Sequence, residues 1–298
     1  MVRIHVVRAS HLILGAVCAV LIGVAVWLFA GRLFGGDTPE ASNKLADAAE
    51  TEAAVASVSA LFADETSNGM RAEAVPDKPP ICRVLIYHTH THEAYRKLAD
   101  DAYVETAAWR TKDNRHNVVF VGERLAEELT ARGFEVIHDV TDHELESLGT
   151  AYTRSLETMR KYLGDADVFI DLHRDAYSEN GSGNPKSVSV NGADTARLMF
   201  LVGNGVGFTE KPYYAENFEL ATILTARVNA LADGLCRPVM VKDGRYNQHV
   251  SPRALLIEVG HNENTLDEAL NAMPYLADAM KDVFIKEATA FVSADERG

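Results

Sequence analysis

From Ile81 onward the chain alternates short β-branched runs with longer amphipathic ones, and three of its most apolar runs end in, or carry, histidine and carboxylate residues. The pattern predicts strands over Cys82–Tyr87, Phe134–His138, Val168–Leu172, Leu198–Val202, Pro238–Val241 and Ala254–Val259. Between them it predicts helices over Val118–Arg132 (closed by Gly133), Tyr152–Leu163 (closed by Gly164) and Ala215–Leu231 (ended near Gly234). One or two more helices fall in Leu266–Val292, with Pro274 as the break. Alternation of this kind implies an α/β fold, a mostly parallel twisted sheet with helices on both faces. No internal repeat and no nucleotide-binding glycine fingerprint is present.

In open α/β sheets, sites form beyond the carboxyl ends of the strands. Those positions hold His88-Thr89-His90-Thr91-His92-Glu93, then His173-Arg174-Asp175, and Glu258 followed by Val259-Gly260-His261-Asn262-Glu263-Asn264. Three polar clusters therefore converge on one sheet edge. Neutral imidazole and carboxylate suit Zn²⁺, which in catalytic sites takes three protein ligands and a water. Glu258, at the end of a buried strand, is placed to move that water's proton, and desolvation raises its pKa as a general base requires. Each residue alone has a plainer reading. A lone histidine after a strand is more often a capping or surface residue, Glu258 could pair with Arg253 or Arg245, and Arg174 with Asp175. His116, His138 and His143 read as surface loop or strand-end residues.

The rest of the chain sets the context. A net charge of −14 with no Lys/Arg run gives no electrostatic case for nucleic acid. Residues 11–31 form an apolar stretch long enough to span a bilayer, so 1–10 is expected to be cytoplasmic and the remainder extracytoplasmic; a cleaved signal peptide is the competing reading, with a core longer than usual and no clean A-x-A site after it. Residues 32–80, rich in Ala, Glu, Asp, Ser and Thr, read as a flexible acidic linker. A catalytic domain then spans 81–293, with a tail at 294–298. Cys82 and Cys236 read as buried free thiols, a disulfide between them being the alternative.

Several segments together resemble the stage II sporulation protein P family, relatives of the zinc-dependent N-acetylmuramoyl-L-alanine amidases. They are Ile86–Tyr95, Asn117–Gly122, His138-Asp139, Ala151–Ser155, Ile170–Asp175, Val202-Gly203, Arg245–Gln248, Leu256–Gly260 and Asn264–Ala269. The resemblance covers roughly residues 82–290 in order. It implies an amidase-like fold on a single-pass membrane anchor. It further implies a peptidoglycan hydrolase that cuts the amide between N-acetylmuramic acid and L-alanine, with cross-link endopeptidase action as an extension. Its setting would be cell-wall remodelling such as spore engulfment, beside a lytic transglycosylase like the stage II sporulation protein D and other membrane engulfment proteins. Carried over by position, His88 and His173 are expected as zinc ligands and Glu258 as the catalytic carboxylate. Glu93 is the preferred third ligand, with Glu105 in the same window and His90 next in line. Asp171, Arg174 and Asp175 are expected in supporting roles, and Arg245 and Asn264 along the substrate groove. His92 and His261 depart from the family pattern. Two other readings stay open: a catalytically silent, membrane-tethered cell-wall binding or scaffold protein, and a metal hydrolase acting on another amide or ester.

Overall fold

The computed structural model describes residues 80–145, 147–176, 187–210 and 213–295. The expected anchor and almost all of the linker lie outside the described residues, and among the described residues no helix is long and apolar enough to cross a membrane. The elements run β1 (Arg83–Tyr87), α1 (Val118–Ala131), β2 (Glu135–His138), α2 (Ala151–Lys161) and β3 (Val168–Asp175), followed by the hairpin β4 (Ser187–Val190) and β5 (Ala193–Ala196). They continue through β6 (Leu198–Gly203), α3 (Tyr214–Leu231), β7 (Met240–Lys242), β8 (Ala254–His261) and α4 (Leu266–Asp295). Six strands form one sheet in the order β2-β1-β3-β8-β6-β7. The first four run parallel, while β6 is antiparallel to β8 and parallel to β7. The chain is thus α/β with a mostly parallel sheet, as the alternation predicts.

Side-chain parity decides what each strand faces, because successive residues of a strand point to opposite sides. Val84 and Ile86 of β1, Val168, Ile170 and Leu172 of β3, and Leu255, Ile257 and Val259 of β8 enter the main core with α1, α3 and α4. Leu85, Tyr87, Phe169 and Ala254 face the other way, into a smaller cluster with Met159 of α2, and with Tyr162 and Val250 at its margin. Three helices therefore cover one face. One helix and the loop between β7 and β8 cover the other.

Two expectations change. Pro274 does not break the last helix: α4 is continuous through it. A proline removes one N–H and crowds the preceding turn, but Ala272, Met273, Leu276, Ala277 and Met280 bury around it and hold both halves on the core. The β4–β5 hairpin was not expected at all; its short Ser-Val-Ser-Val and Ala-Asp-Thr-Ala strands are mixed in polarity, and they turn at Asn191-Gly192, both at positive φ. Cys82 and Cys236 are free thiols; burial pushes the Cys236 thiol up to about 12.

Candidate active site

Parity places His88, and the turn over residues 89–92 redirects the histidines that follow it. His88 continues the Val84–Ile86 series and lies on the α1 face, fully buried. Its Nδ1 meets the Leu172 carbonyl at 2.9 Å and its Nε2 meets His138 Nε2 at 2.9 Å. The carbonyl can only accept, so His88 donates through Nδ1 and His138 donates to His88 Nε2. Burial lowers both rings, His88 to about 3 and His138 to about 4, so the pair is neutral. A Cβ on Gly122 of α1 would come within 2.7 Å of both imidazoles, so only glycine fits beneath them. His88, expected as a metal ligand, has both ring nitrogens engaged in this pair, on the face opposite His173. His143, expected near the surface, is buried beside it, bonded to the His88 carbonyl and Thr158 Oγ1.

The α2 face carries the other cluster. Asp171 and His173 of β3 share the parity of Phe169, and His173 pairs in register with Glu258 of β8. His173 stands between two carboxylates, with Nδ1 3.2 Å from Glu93 Oε2 and Nε2 2.9 Å from Asp171 Oδ1. The second contact has ion-pair distance without hydrogen-bond alignment, so Nε2 is buried with no hydrogen-bond partner. Burial alone would discharge His173, but Asp171 and Glu93 outweigh it and raise its pKa well above the usual range. The same attraction holds both carboxyls down against their own burial. Asp171 is fixed by Thr89, whose N and Oγ1 donate to it at 2.7 and 2.6 Å. Glu93 also accepts from the Arg174 N–H at 3.1 Å.

Glu258 is buried, and its Oε2 has no partner. Burial pushes its carboxyl up, to about 8, with Glu93 and Asp175 adding to the rise against the pull of His173. A proton acceptor held in this way titrates near neutral pH, where general-base work is done.

His90 also turns towards this face. Its ring packs edge-on to His173, with centroids 5.4 Å apart. Its Nδ1 donates to Glu144 Oε1 at 3.0 Å. Glu144 also takes Arg110 and His92 Nδ1, while His92 Nε2 bonds Asp142 at 2.8 Å. His92 is thus held between two carboxylates in a loop-to-loop brace. Glu144 was missed in the sequence, since nothing local marks a loop glutamate as the partner of a histidine 54 positions earlier.

The remaining expected residues have other work. Arg174 pins the Ala94 and Trp109 carbonyls through Nε and Nη2, at 2.9 and 2.7 Å. Asp175 pairs with Arg237 at 2.8 Å and does not orient His173; Asp171 contacts that ring instead. Asn264, expected along the groove, is fully buried; it accepts from the His261 N–H and donates to Glu268, closing the turn into α4. Glu105 pairs with Lys97 at 3.5 Å on the surface. Arg245 lies on the rim, paired with Glu210. Tyr152 and Tyr246, not singled out by sequence although both fall in matched segments, stack edge-on from the rim towards His90.

Among the described residues, no three His, Cys, Asp or Glu side chains converge on a single point at metal-holding distance. The residue types nevertheless suit zinc: two imidazoles and flanking carboxylates, with His173 Nε2 and Glu258 Oε2 both buried and without hydrogen-bond partners.

Comparison with known proteins adds lineage. Against N-acetylmuramoyl-L-alanine amidase AmiC2 of Nostoc punctiforme the TM-score is 0.41 at 15% identity, covering 71% of this chain and 99% of that one. Against the N-acetylmuramoyl-L-alanine amidase from Clostridium difficile 630 it is 0.38 at 15%, covering 70% and 97%. Scores at this level leave the fold assignment to the topology itself. The stage II sporulation protein P of Bacillus subtilis (strain 168) is 29% identical over 215 residues, which is 67% of this chain and 51% of that protein. The chain thus spans about half the length of that curated relative. The sequence profile of stage II sporulation protein P matches residues 37–281, well over half of the chain, and the chain belongs to that family.

Proposed function

We propose that this chain is a membrane-anchored peptidoglycan hydrolase of the amidase type, cutting the amide between N-acetylmuramic acid and L-alanine. The observation that carries the reading is the in-register pair His173–Glu258 on the α2 face, where an imidazole between two carboxylates adjoins a buried, unpartnered carboxylate of raised pKa. Membership of the stage II sporulation protein P family supports a hydrolase of the cell wall, and the apolar segment at 11–31 supports an extracytoplasmic placement with a membrane tether.

His90, Glu93 and His173 would hold zinc, His90 taking the place expected of His88. Bound there, zinc would lower the pKa of a water and polarise the scissile carbonyl. Glu258 accepts the proton of the attacking water and returns it to the leaving amine. Asp171 orients His173 and Glu144 orients His90, as carboxylates behind ligand imidazoles do.

The test is incubation of the chain with purified sacculi and zinc, followed by mass spectrometry. Stem peptides with free L-alanine amino ends are expected. A folded, zinc-loaded protein that releases none would overturn the reading.

A further inference from the structure

The loop between β7 and β8 builds a feature that the Glu258 cluster does not use. Arg245 Nη1 holds Glu210 Oε2 at 2.9 Å, and its guanidinium lies 4.9 Å over the Phe208 ring. His249 Nε2 stands 3.5 Å from the same Glu210 oxygen, too far for a good hydrogen bond. The His249 side chain is 2% exposed, yet neither ring nitrogen has a hydrogen-bond partner. A neutral imidazole must carry one N–H, so a buried donor here lacks an acceptor. Arg160, in the last turn of α2, adds its positive charge to the surroundings of His249. Glu210 itself is 63% exposed, so its carboxylate reaches in from solvent onto two largely buried basic groups.

Tyr246, next to Arg245 in this group, begins a continuous series of rings that reaches the cluster. Tyr246 packs edge-on to Tyr152 at 5.7 Å, Tyr152 to His90 at 5.6 Å, and His90 to His173 at 5.4 Å. Tyr246 is fixed in place: its φ is 45°, and a Cβ at Gly203 or Gly244 would come within 2.8 or 2.9 Å of its ring. Asn247 Nδ2 ties the same loop to the Tyr152 carbonyl at 2.9 Å. The three steps span about 17 Å, which an extended peptide of about five residues covers at ~3.3–3.6 Å each.

We propose that Arg245 and His249 form a carboxylate-binding subsite for an acidic peptide. Glu210 occupies this subsite until the peptide's own carboxylate displaces it, and the Tyr246–Tyr152–His90 series lines the path from Arg245 and His249 to Glu258. That the peptide is a peptidoglycan stem rests on the hydrolase reading; the subsite itself rests on the internal carboxylate and the unpartnered imidazole.

The experiment reads binding and not turnover. The full-length, zinc-loaded chain carrying Glu258→Gln is titrated by calorimetry with the tripeptide L-alanyl-γ-D-glutamyl-diaminopimelate, and with the same peptide after its carboxylates are amidated. The free acid is expected to bind ~10–100-fold more tightly, as a hydrogen-bonded charge pair allows. Arg245→Gln should abolish that preference. Glu210→Gln should strengthen acid binding, because the internal competitor is gone; Glu210 is exposed, so this variant carries the test if Arg245→Gln fails to fold. Equal affinity for acid and amide overturns the proposal, as does weaker acid binding by Glu210→Gln, the result a merely structural Arg245–Glu210 pair would give. If the peptide binds as expected while the wild type releases nothing from sacculi, the subsite stands and the hydrolase reading falls. If sacculi are cut but acid and amide bind alike, only the subsite falls.

Discussion

His88 and His90 stand two positions apart in one H-T-H motif, and their surroundings could hardly differ more. His88 lies with Gly122 and His138 on the three-helix face, both nitrogens hydrogen-bonded, neutral and closed off. His90 lies beside His173 on the one-helix face, with one nitrogen tied to Glu144, and the neighbouring His173 Nε2 has no hydrogen-bond partner. The first arrangement is complete without a ligand. The second leaves donors and acceptors unused. The same residue type in the same motif is therefore structural or chemical according to which side of a sheet it reaches and whether its hydrogen bonds are already filled.

The largest expected effect on this contrast is at Glu258. Glu258→Gln should cut stem-peptide release by about 10²–10⁴-fold, the usual contribution of a general base, while bound zinc, measured by elemental analysis, stays at the wild-type ratio. Wild-type turnover by this variant would remove the base assignment. Next come the two histidines themselves. His90→Ala should lose zinc, whereas His88→Ala should keep it; the reverse pattern would break the comparison outright. Glu144→Gln should weaken zinc binding by about 10–100-fold, as loss of a ligand's supporting carboxylate does, and a competition titration with a chelator reads it.

Smaller effects sharpen the closed side. Gly122→Ala should destabilise the fold by about 1–3 kcal/mol through overpacking against the two imidazoles, with zinc content unchanged; urea unfolding measures it. His138 gives the pH dependence. Its pKa, lowered by burial to about 4, is near 6.5 when unfolded, so the unfolded chain takes up the proton first as the pH drops. Its neutral form therefore contributes full stability above about pH 6.5, and this is lost towards pH 4 at about 1.4 kcal/mol per pH unit. The difference in unfolding free energy between wild type and His138→Gln should shrink between pH 7 and pH 5. A constant difference would count against a buried neutral pair.

Much of this was legible in the residues. The β-branched runs located β1, β3 and β8, and the polar residues at their ends mark the sheet edge where His173 and Glu258 meet. Both stand out because each follows or ends a strand that is apolar on both faces. The parity of Val84, Ile86 and His88 is also legible; followed one step past the strand, it places His88 on the face opposite His173. Other features depend on contacts between distant segments. The reversal of β6 is set by pairing with β8 and leaves no local mark. Glu144, Tyr152 and Tyr246 acquire their neighbours only when three loops meet. Asp175 and Asn264 looked chemical because they sit near strand ends, but Arg237 and the α4 turn occupy them.

The reversal of β6 and β7 has a consequence for how such a protein can change. With those strands inverted, the chain returns to β8 through the loop 243–253, and among the described residues no second helix is laid over the α2 face. Stability and recognition are thereby assigned to different sides of one sheet. The helices α1, α3 and α4 can stay fixed while Arg245 and His249 vary on a loop, so descendants could be retuned for new ligands by a handful of substitutions that leave the main core untouched.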